Sequence, residues 1–152
     1  MKIYKILLSG ILAISLLSIA GVGTDDSDKL LGVWESADGR AKIKIEKIGN
    51  KFFGKIIWLK VPNYPSTNKP KLDQNNPDTA MRKNPIKGNR ILKDFIYKGN
   101  KEWGDGSIYD PNNGKTYKCV ITMKDDSKID IRGYVGIKTL GRTESWKRST
   151  NN

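Results

Sequence analysis

The chain has 152 residues, enough for one domain with a hydrophobic core. It has no histidine and one cysteine, Cys119, which excludes Cys-His and Ser-His catalytic pairs, an internal disulfide and an ordinary zinc site. A formal charge of +12 suits an anionic partner, but the lysines are scattered along solvent-facing strand positions. We therefore expect a lysine-rich surface, which discourages edge-to-edge strand pairing, and no nucleic-acid partner.

The first twenty residues have the pattern of a secretory signal peptide. Lys2 and Lys5 precede an almost wholly apolar run over 6–20, which ends in small residues. The alternative is a membrane anchor, but the run is short for a span of roughly 20 residues. We predict that residues 1–20 are cleaved, that 21–29 form a flexible lead-in, and that the protein is exported to the periplasm or beyond.

Alternating apolar and polar residues predict eight β-strands in one domain over 30–148. In the second strand, for example, Ile43 and Ile45 face one way while Lys44 and Glu46 face the other. Residues 149–152 are predicted to be a frayed tail. The predicted strands are Leu30–Ser36, Ala41–Ile48, Lys51–Leu59, Arg90–Tyr97, Lys101–Tyr109, Thr116–Met123, Lys128–Val135 and Leu140–Arg148.

Eight sequential antiparallel strands favour an all-β, up-and-down barrel, because closure removes the exposed sheet edges. A β-sandwich is the alternative. Four signature residues favour the barrel: Gly32 and Trp34 in the first strand, and Trp146 and Arg148 in the last. In a closed barrel these strands are neighbours, and the Arg148 guanidinium can stack on the Trp34 indole. The G-x-W start with a late arginine resembles the lipocalin signature.

A long irregular segment, residues 60–89, follows the third strand and holds five of the six prolines. It is predicted to contain one helical turn over 77–82. Its polar side chains could ligate calcium, but the neighbouring lysines and arginines oppose a cation. We expect no metal, and expect these residues to close turns, cap the short helix or pair with the arginine. The four candidate lid residues are Asp73, Asn75, Asp78 and Arg82.

Five residues in the fifth and eighth strands are candidates for a ligand-binding wall. Strict alternation places Trp103, Asp105 and Tyr109 on one face of the fifth strand, and Arg142 and Glu144 on one face of the eighth. If these faces point inward, they line a pocket for a small amphipathic or polar ligand. The alternative is a filled interior in which Arg142 and Glu144 form an ion pair at the rim.

Ordered matches along the chain resemble the bacterial domain-of-unknown-function family 2147, which consists of small exported proteins. The resemblance extends from residue 32 to 148 and implies a lipocalin-like barrel with no established activity, substrate or cofactor. Residues 60–71 look longer than the usual loop of the family. The matching stretches are G-V-W at 32–34, D-Q-N-N-P-D at 73–78, Arg82, P-I-K-G at 85–88, Trp103, G-S-I-Y-D-P at 106–111, G-K-T-Y at 114–117, G-Y-V-G at 133–136 and W-K-R at 146–148.

From the residues and the resemblance together we predict a non-enzymatic barrel without a cofactor, either structural or binding a small ligand in the cell envelope. The alternative is a basic surface that contacts anionic lipid or glycan. A hydrolase that uses the carboxylates Asp105 or Glu144 is a third possibility, since glycoside hydrolysis needs two carboxyl groups about 5–10 Å apart.

Overall fold

The computed structural model describes residues 25–150. The predicted signal peptide over 1–20, the start of the lead-in and the last two residues lie outside this range. The eight strands are β1 Gly32–Glu35, β2 Ala41–Ile48, β3 Lys51–Leu59, β4 Arg90–Gly99, β5 Glu102–Asp110, β6 Lys115–Asp125, β7 Lys128–Tyr134 and β8 Arg142–Arg148. Three short 3-10 helices cover Asp26–Leu30, Thr79–Lys83 and Lys138–Leu140.

The strands form a closed barrel in which each strand is antiparallel to the next. The barrel closes where β1 pairs with β8, with Trp34 opposite Arg148 and Glu35 opposite Lys147. The predicted all-β up-and-down barrel is therefore confirmed. Because the chain runs up and down, the turns at 49–50, 100–101 and 126–127 lie at one end. The β1–β2 turn, the 60–89 segment and the two remaining turns lie at the other end.

The hydrophobic pattern explains the strands and their inward faces. In β2 the side chains of Ile43 and Ile45 are buried, whereas those of Lys44 and Glu46 are exposed, as predicted. The end of the barrel that holds the turns at 49–50, 100–101 and 126–127 is the sealed end. The interior near it is filled by large apolar side chains that exclude water. Its largest buried members include Trp34, Phe52, Phe95, Trp103, Leu92, Ile121 and Ile129.

Glycine makes room for one of these side chains. A Cβ atom on Gly106 of β5 would lie 2.4 Å from the Phe95 ring, closer than atoms can approach. The absence of a side chain at this position lets the ring cross the barrel interior. The filled part of the barrel therefore depends on a glycine as well as on its aromatic residues.

A short 3-10 helix, Asp26–Leu30, caps the filled end and corrects the predicted lead-in. Leu30 is buried in the core, and its carbonyl accepts a hydrogen bond of 2.9 Å from the Trp34 indole nitrogen. The Lys47 ammonium donates to Asp28 at 2.7 Å. Residues from 26 onward are thus ordered structure that seals the barrel. The burial of Leu30 and the hydrogen bonds that tie the segment to Trp34, Lys47 and Arg148 together oppose the entropy lost on ordering it.

Arg148 joins this helix to the two strands that close the barrel. Its guanidinium lies 4.1 Å from the centre of the Trp34 ring, which confirms the predicted stacking. It also donates to the carbonyls of Leu31 at 2.8 Å and Lys29 at 2.7 Å, and its Nε donates to Asp126. One side chain therefore satisfies three backbone carbonyls at the sealed end. After it, the Ser149 N–H donates to Val33, so the tail stays paired at its start.

Within residues 25–150, no helix is long and apolar enough to cross a membrane.

Replacing Arg148 tests how much the sealed end contributes to stability. Arg148→Ala removes the stacking and the charged donors to three carbonyls, so we expect the free energy of unfolding to fall by roughly 2–4 kcal/mol. Urea denaturation measures this change. The control is Arg142→Ala in the same strand, where the side chain is 89% exposed and the change should stay below about 0.5 kcal/mol. Equal changes in the two variants would contradict the prediction.

Candidate functional site

The second end of the barrel opens into a cavity of about 930 Å³. Its deeper wall is apolar and comes from six different strands, with the bulky branched side chains pointing inward. No stretch of sequence supplies the wall by itself, because the barrel brings single residues together from distant positions. The apolar wall consists of Ile43, Ile56, Ile91, Ile108, Ile131 and Trp146, with Ala41, Leu59, Val61 and Ile86.

The rim of the cavity is charged and carries more positive than negative groups. The Arg40 Nε lies 3.6 Å from the Asp38 Oδ2, and the Arg142 Nη2 lies 4.0 Å from the Glu144 Oε1. These four charges therefore balance in pairs. Lys60 and Lys71 also line the cavity and have no ion pair within the described part of the chain. The remaining acid, Asp110, accepts hydrogen bonds from the main chain and side chain of Asn112 in the β5–β6 turn.

The structure brings three of the five predicted wall residues to this cavity. Tyr109, Arg142 and Glu144 line it. Arg142 and Glu144 form an ion pair at the rim, which was the alternative prediction for these two residues. Their contact with a ligand stays a prediction.

Trp103 and Asp105 do not line the cavity, and the prediction of a shared face with Tyr109 was wrong. Asp105 has a φ of +60°, and the register between β5 and β6 shifts between Trp103 and Gly106. This bulge breaks the alternation, because two residues occupy the place of one. The Asp105 carboxylate pairs with Lys98 in a solvent-exposed ion pair.

Trp103 belongs to the filled core. Its ring packs on Tyr97 at 5.0 Å and edge-on to Phe52 at 6.3 Å. Its indole nitrogen and that of Trp146 are the two buried side-chain polar atoms without a hydrogen-bond partner among residues 25–150. Of the four signature residues, Gly32, Trp34 and Arg148 lie at the sealed end, whereas Trp146 contributes to the cavity wall.

The isoleucines that form most of the wall were not predicted as site residues from the sequence. The signal was present, since Ile43, Ile56 and Ile131 all sit at inward positions of alternating strands. Periodicity alone cannot tell which inward residues face an open space and which fill the core. That difference depends on the bulges and glycines that decide how far large side chains reach.

The 60–89 segment is anchored to the barrel beside the cavity through a buried carboxylate. Asp73 accepts hydrogen bonds from Tyr109 at 2.6 Å, Asn76 at 2.7 Å and Asn89 at 2.9 Å. Asn75 donates to the carbonyls of Pro111 and Asn112 in the β5–β6 turn. Lys60, Val61, Lys71 and Ile86 of this segment line the cavity.

The other predicted lid residues build the segment itself. Asp78, and not Asp73 or Asn75, caps the short helix, accepting from Ala80 at 3.0 Å. The expected pairing of Arg82 with an aspartate was wrong, because its Nε donates instead to the Asn76 carbonyl at 2.7 Å. Among the described residues, no group of three His, Cys, Asp or Glu side chains could hold a metal ion.

A second depression, of about 760 Å³, lies outside the barrel between the segment and the outward faces of β2 and β3. Ile56 and Lys71 line both this depression and the barrel cavity. Its charged residues include Lys44, Lys55, Lys71 and Lys87, together with Glu46.

Burial changes the acid–base behaviour of two side chains. It raises the pKa of Tyr109 to about 12, and the hydrogen bond to Asp73 adds to this effect. Burial likewise raises the pKa of the Cys119 thiol to about 12. At neutral pH this thiol is protonated and enclosed, so it is a core residue and not a nucleophile.

An eight-stranded up-and-down barrel with one sealed end and one open end defines the class of the protein as a lipocalin-like barrel. The chain belongs to the bacterial family described as "Uncharacterized protein conserved in bacteria (DUF2147)", whose model matches residues 32–148. The resemblance noted in the sequence is thereby confirmed.

A solved structure has a similar fold: protein HP1028 from the human pathogen Helicobacter pylori, described as belonging to the lipocalin family. The TM-score is 0.68, with 23% identity over 80% of this chain and 84% of that chain. At this level of identity the likeness shows the fold alone. A comparison with curated proteins found no match.

The anchor of the 60–89 segment can be tested with Tyr109→Phe. The substitution leaves the buried Asp73 carboxylate with one donor fewer, so we expect the free energy of unfolding to fall by about 1–3 kcal/mol. Trypsin should also cleave the lysine-rich segment faster. The control is Tyr117→Phe, which removes an exposed hydroxyl that accepts from Asn113 and should have little effect. Unchanged cleavage in Tyr109→Phe would contradict this role.

The Cys119 thiol should make stability fall at high pH. Above its ordinary pKa of 9.0 the thiol of the unfolded chain loses its proton, while the folded chain keeps it to about 12. The unfolded chain then binds fewer protons, so stability decreases as pH rises through this window. Urea midpoints at about pH 8 and about pH 10.5 should differ less in Cys119→Ala than in the parent. An equal decrease, or rapid labelling of the native thiol, would contradict the prediction.

Proposed function

We propose that this protein is a non-enzymatic binding protein that holds a small amphipathic ligand in the open end of its barrel. The observation that carries the proposal is the cavity of about 930 Å³, with an apolar wall and a charged rim. Clefts of roughly 300–1,000 Å³ with apolar walls and few polar groups are typical ligand sites. The lipocalin description of the Helicobacter pylori protein supports the proposal at the level of fold.

The chemistry of the wall favours an alkyl chain as the apolar part of the ligand. Isoleucines supply most of the deep surface, including Ile43, Ile56 and Ile131. Such a wall offers contact area without polar atoms, which suits methylene groups that lose unfavourable contact with water. Three aromatic residues, Tyr109, Tyr117 and Trp146, also line the cavity.

The rim favours an anionic head group. Arg40 and Arg142 each have an acidic neighbour, but Lys60 and Lys71 do not. A carboxylate or phosphate at the rim would therefore meet uncompensated positive charge while it stays in contact with water. A long-chain carboxylate or a lysophospholipid has this combination of tail and head.

The arrangement of the carboxylates supports binding over hydrolysis. Asp105, one of the two acids considered for a hydrolase, is on the outer surface with Lys98. Glu144 is at the rim, where its carboxylate lies 4.0 Å from the Arg142 guanidinium and is about half exposed to solvent. The enclosed Cys119 thiol offers no nucleophile to the cavity.

Filling the cavity should weaken the binding of a fatty acid. We expect the delipidated protein to bind a fluorescent long-chain fatty acid, and Ile108→Trp to weaken binding by roughly tenfold or more, because the indole occupies space needed by the chain. Fluorescence titration measures the dissociation constants. Ile48→Trp, the same change at an exposed position near the sealed end, is the control and should bind like the parent.

The head group can be assigned in the same titration. Replacing Lys60 and Lys71 together by Gln should weaken binding of the fatty acid but not of the corresponding long-chain alcohol. If the parent binds neither compound, or if Ile108→Trp and Ile48→Trp behave alike, the cavity is not a site for single-chain amphiphiles.

A further inference from the structure

The loop between β7 and β8, residues 135–141, carries an unusual concentration of exposed apolar side chains. Val135 is 73%, Ile137 61% and Leu140 79% exposed. Single exposed apolar residues are ordinary, but three within six positions of one loop form a patch that water solvates poorly. We propose that this loop, named here the apolar loop, docks the protein onto the surface of a membrane that contains anionic phospholipid.

The apolar loop is held against β7 by polar contacts. The Arg132 guanidinium donates to the carbonyls of Lys138 at 2.8 Å and Thr139 at 2.9 Å, and to the Thr143 hydroxyl at 2.8 Å. Gly141 closes the loop, since a Cβ atom there would lie 2.6 Å from the Gly133 carbonyl oxygen. Within the loop the Leu140 N–H also donates to the Ile137 carbonyl, and the Gly141 N–H to the Lys138 carbonyl. The apolar side chains are thus presented to solvent on a hydrogen-bonded frame.

The loop lies beside the cavity entrance. Gly133 and Arg142 form the β7–β8 residue pair next to the loop, and both line the cavity. Val61, in the 60–89 segment, also lines the cavity and is 49% exposed. A surface that accepts the apolar loop therefore adjoins the open end of the barrel, and not the end sealed by Arg148.

Charge selects an anionic bilayer as the occupant over a second copy of this chain. The full chain carries a formal charge of +12, so two copies repel each other. Arg142 follows the loop directly with its side chain in solvent, and Lys60 and Lys71 share the same rim without acidic neighbours. Apolar side chains that enter the headgroup boundary, together with basic residues that meet acidic lipid, are the two components of reversible membrane attachment.

Vesicle sedimentation tests the proposal with the apolar side chains removed and the charge unchanged. The test variant replaces Val135, Ile137 and Leu140 together by Ser. The control replaces three other exposed apolar residues, Ile48, Trp58 and Met81, by Ser. We expect the parent and the control to bind vesicles of phosphatidylcholine with phosphatidylglycerol, and the test variant to bind roughly tenfold more weakly or worse. Vesicles of phosphatidylcholine alone should bind the parent less, because the electrostatic attraction is lost.

The proposal does not require a ligand in the cavity, so the two can fail separately. The test variant should keep the urea midpoint of the parent, which shows that it is folded, and should also keep the fatty-acid affinity of the parent. Equal vesicle binding by the test variant and the parent would overturn the role of the loop. So would a parent that binds neither kind of vesicle. Sedimentation equilibrium that shows a dimer in the parent and a monomer in the test variant would assign the loop to self-association instead.

Discussion

The contact between Arg148 and Trp34 is the constraint on which the rest of the barrel depends. It lies where the first and last strands meet, so the sheet closes through this point. The guanidinium also binds the carbonyls of Lys29 and Leu31 at the end of the first 3-10 helix, which places Leu30 over the core. A planar group with several donors can stack and bind carbonyls at the same time, whereas a lysine ammonium cannot. The same side chain therefore closes the barrel and seals one of its ends, which leaves a single open end.

The division of the interior into a filled part and an open part follows from side-chain size. Aromatic residues near the sealed end reach across the barrel, and Gly106 gives Phe95 the space to do so. Toward the open end the inward positions hold isoleucines, which are too short to meet at the centre. An eight-stranded barrel is just wide enough for side chains to fill it or to leave room for one small ligand. Here both outcomes occur in one barrel.

Much of the fold could be predicted from the sequence, because alternation, turn residues and the paired signatures of the first and last strands all indicate the same architecture. The candidate site could be predicted only in part. Tyr109, Arg142 and Glu144 reach the cavity. The bulge at Asp105 breaks the alternation of β5, so that Trp103 and Asp105 do not. A bulge with a non-glycine residue at positive φ leaves no reliable mark in a sequence. The cap formed by residues 26–30 was also missed, since one buried leucine and a few long-range hydrogen bonds leave no periodic pattern in the sequence. Export stays a prediction from residues 1–20.

The anchoring of Asp73 also divides the segment after β3 into two parts with different freedom to vary. A bridge between Leu72 and Pro85 marks the anchored base, and one between Asn63 and Pro70 marks an outer hairpin. The hairpin turns through its own backbone bonds, from Asn68 to the Tyr64 carbonyl and from Tyr64 to the Lys69 carbonyl. Residues can therefore be inserted or deleted at its tip while the base stays in register with the barrel. Relatives can differ in the length of this hairpin and still share one cavity wall.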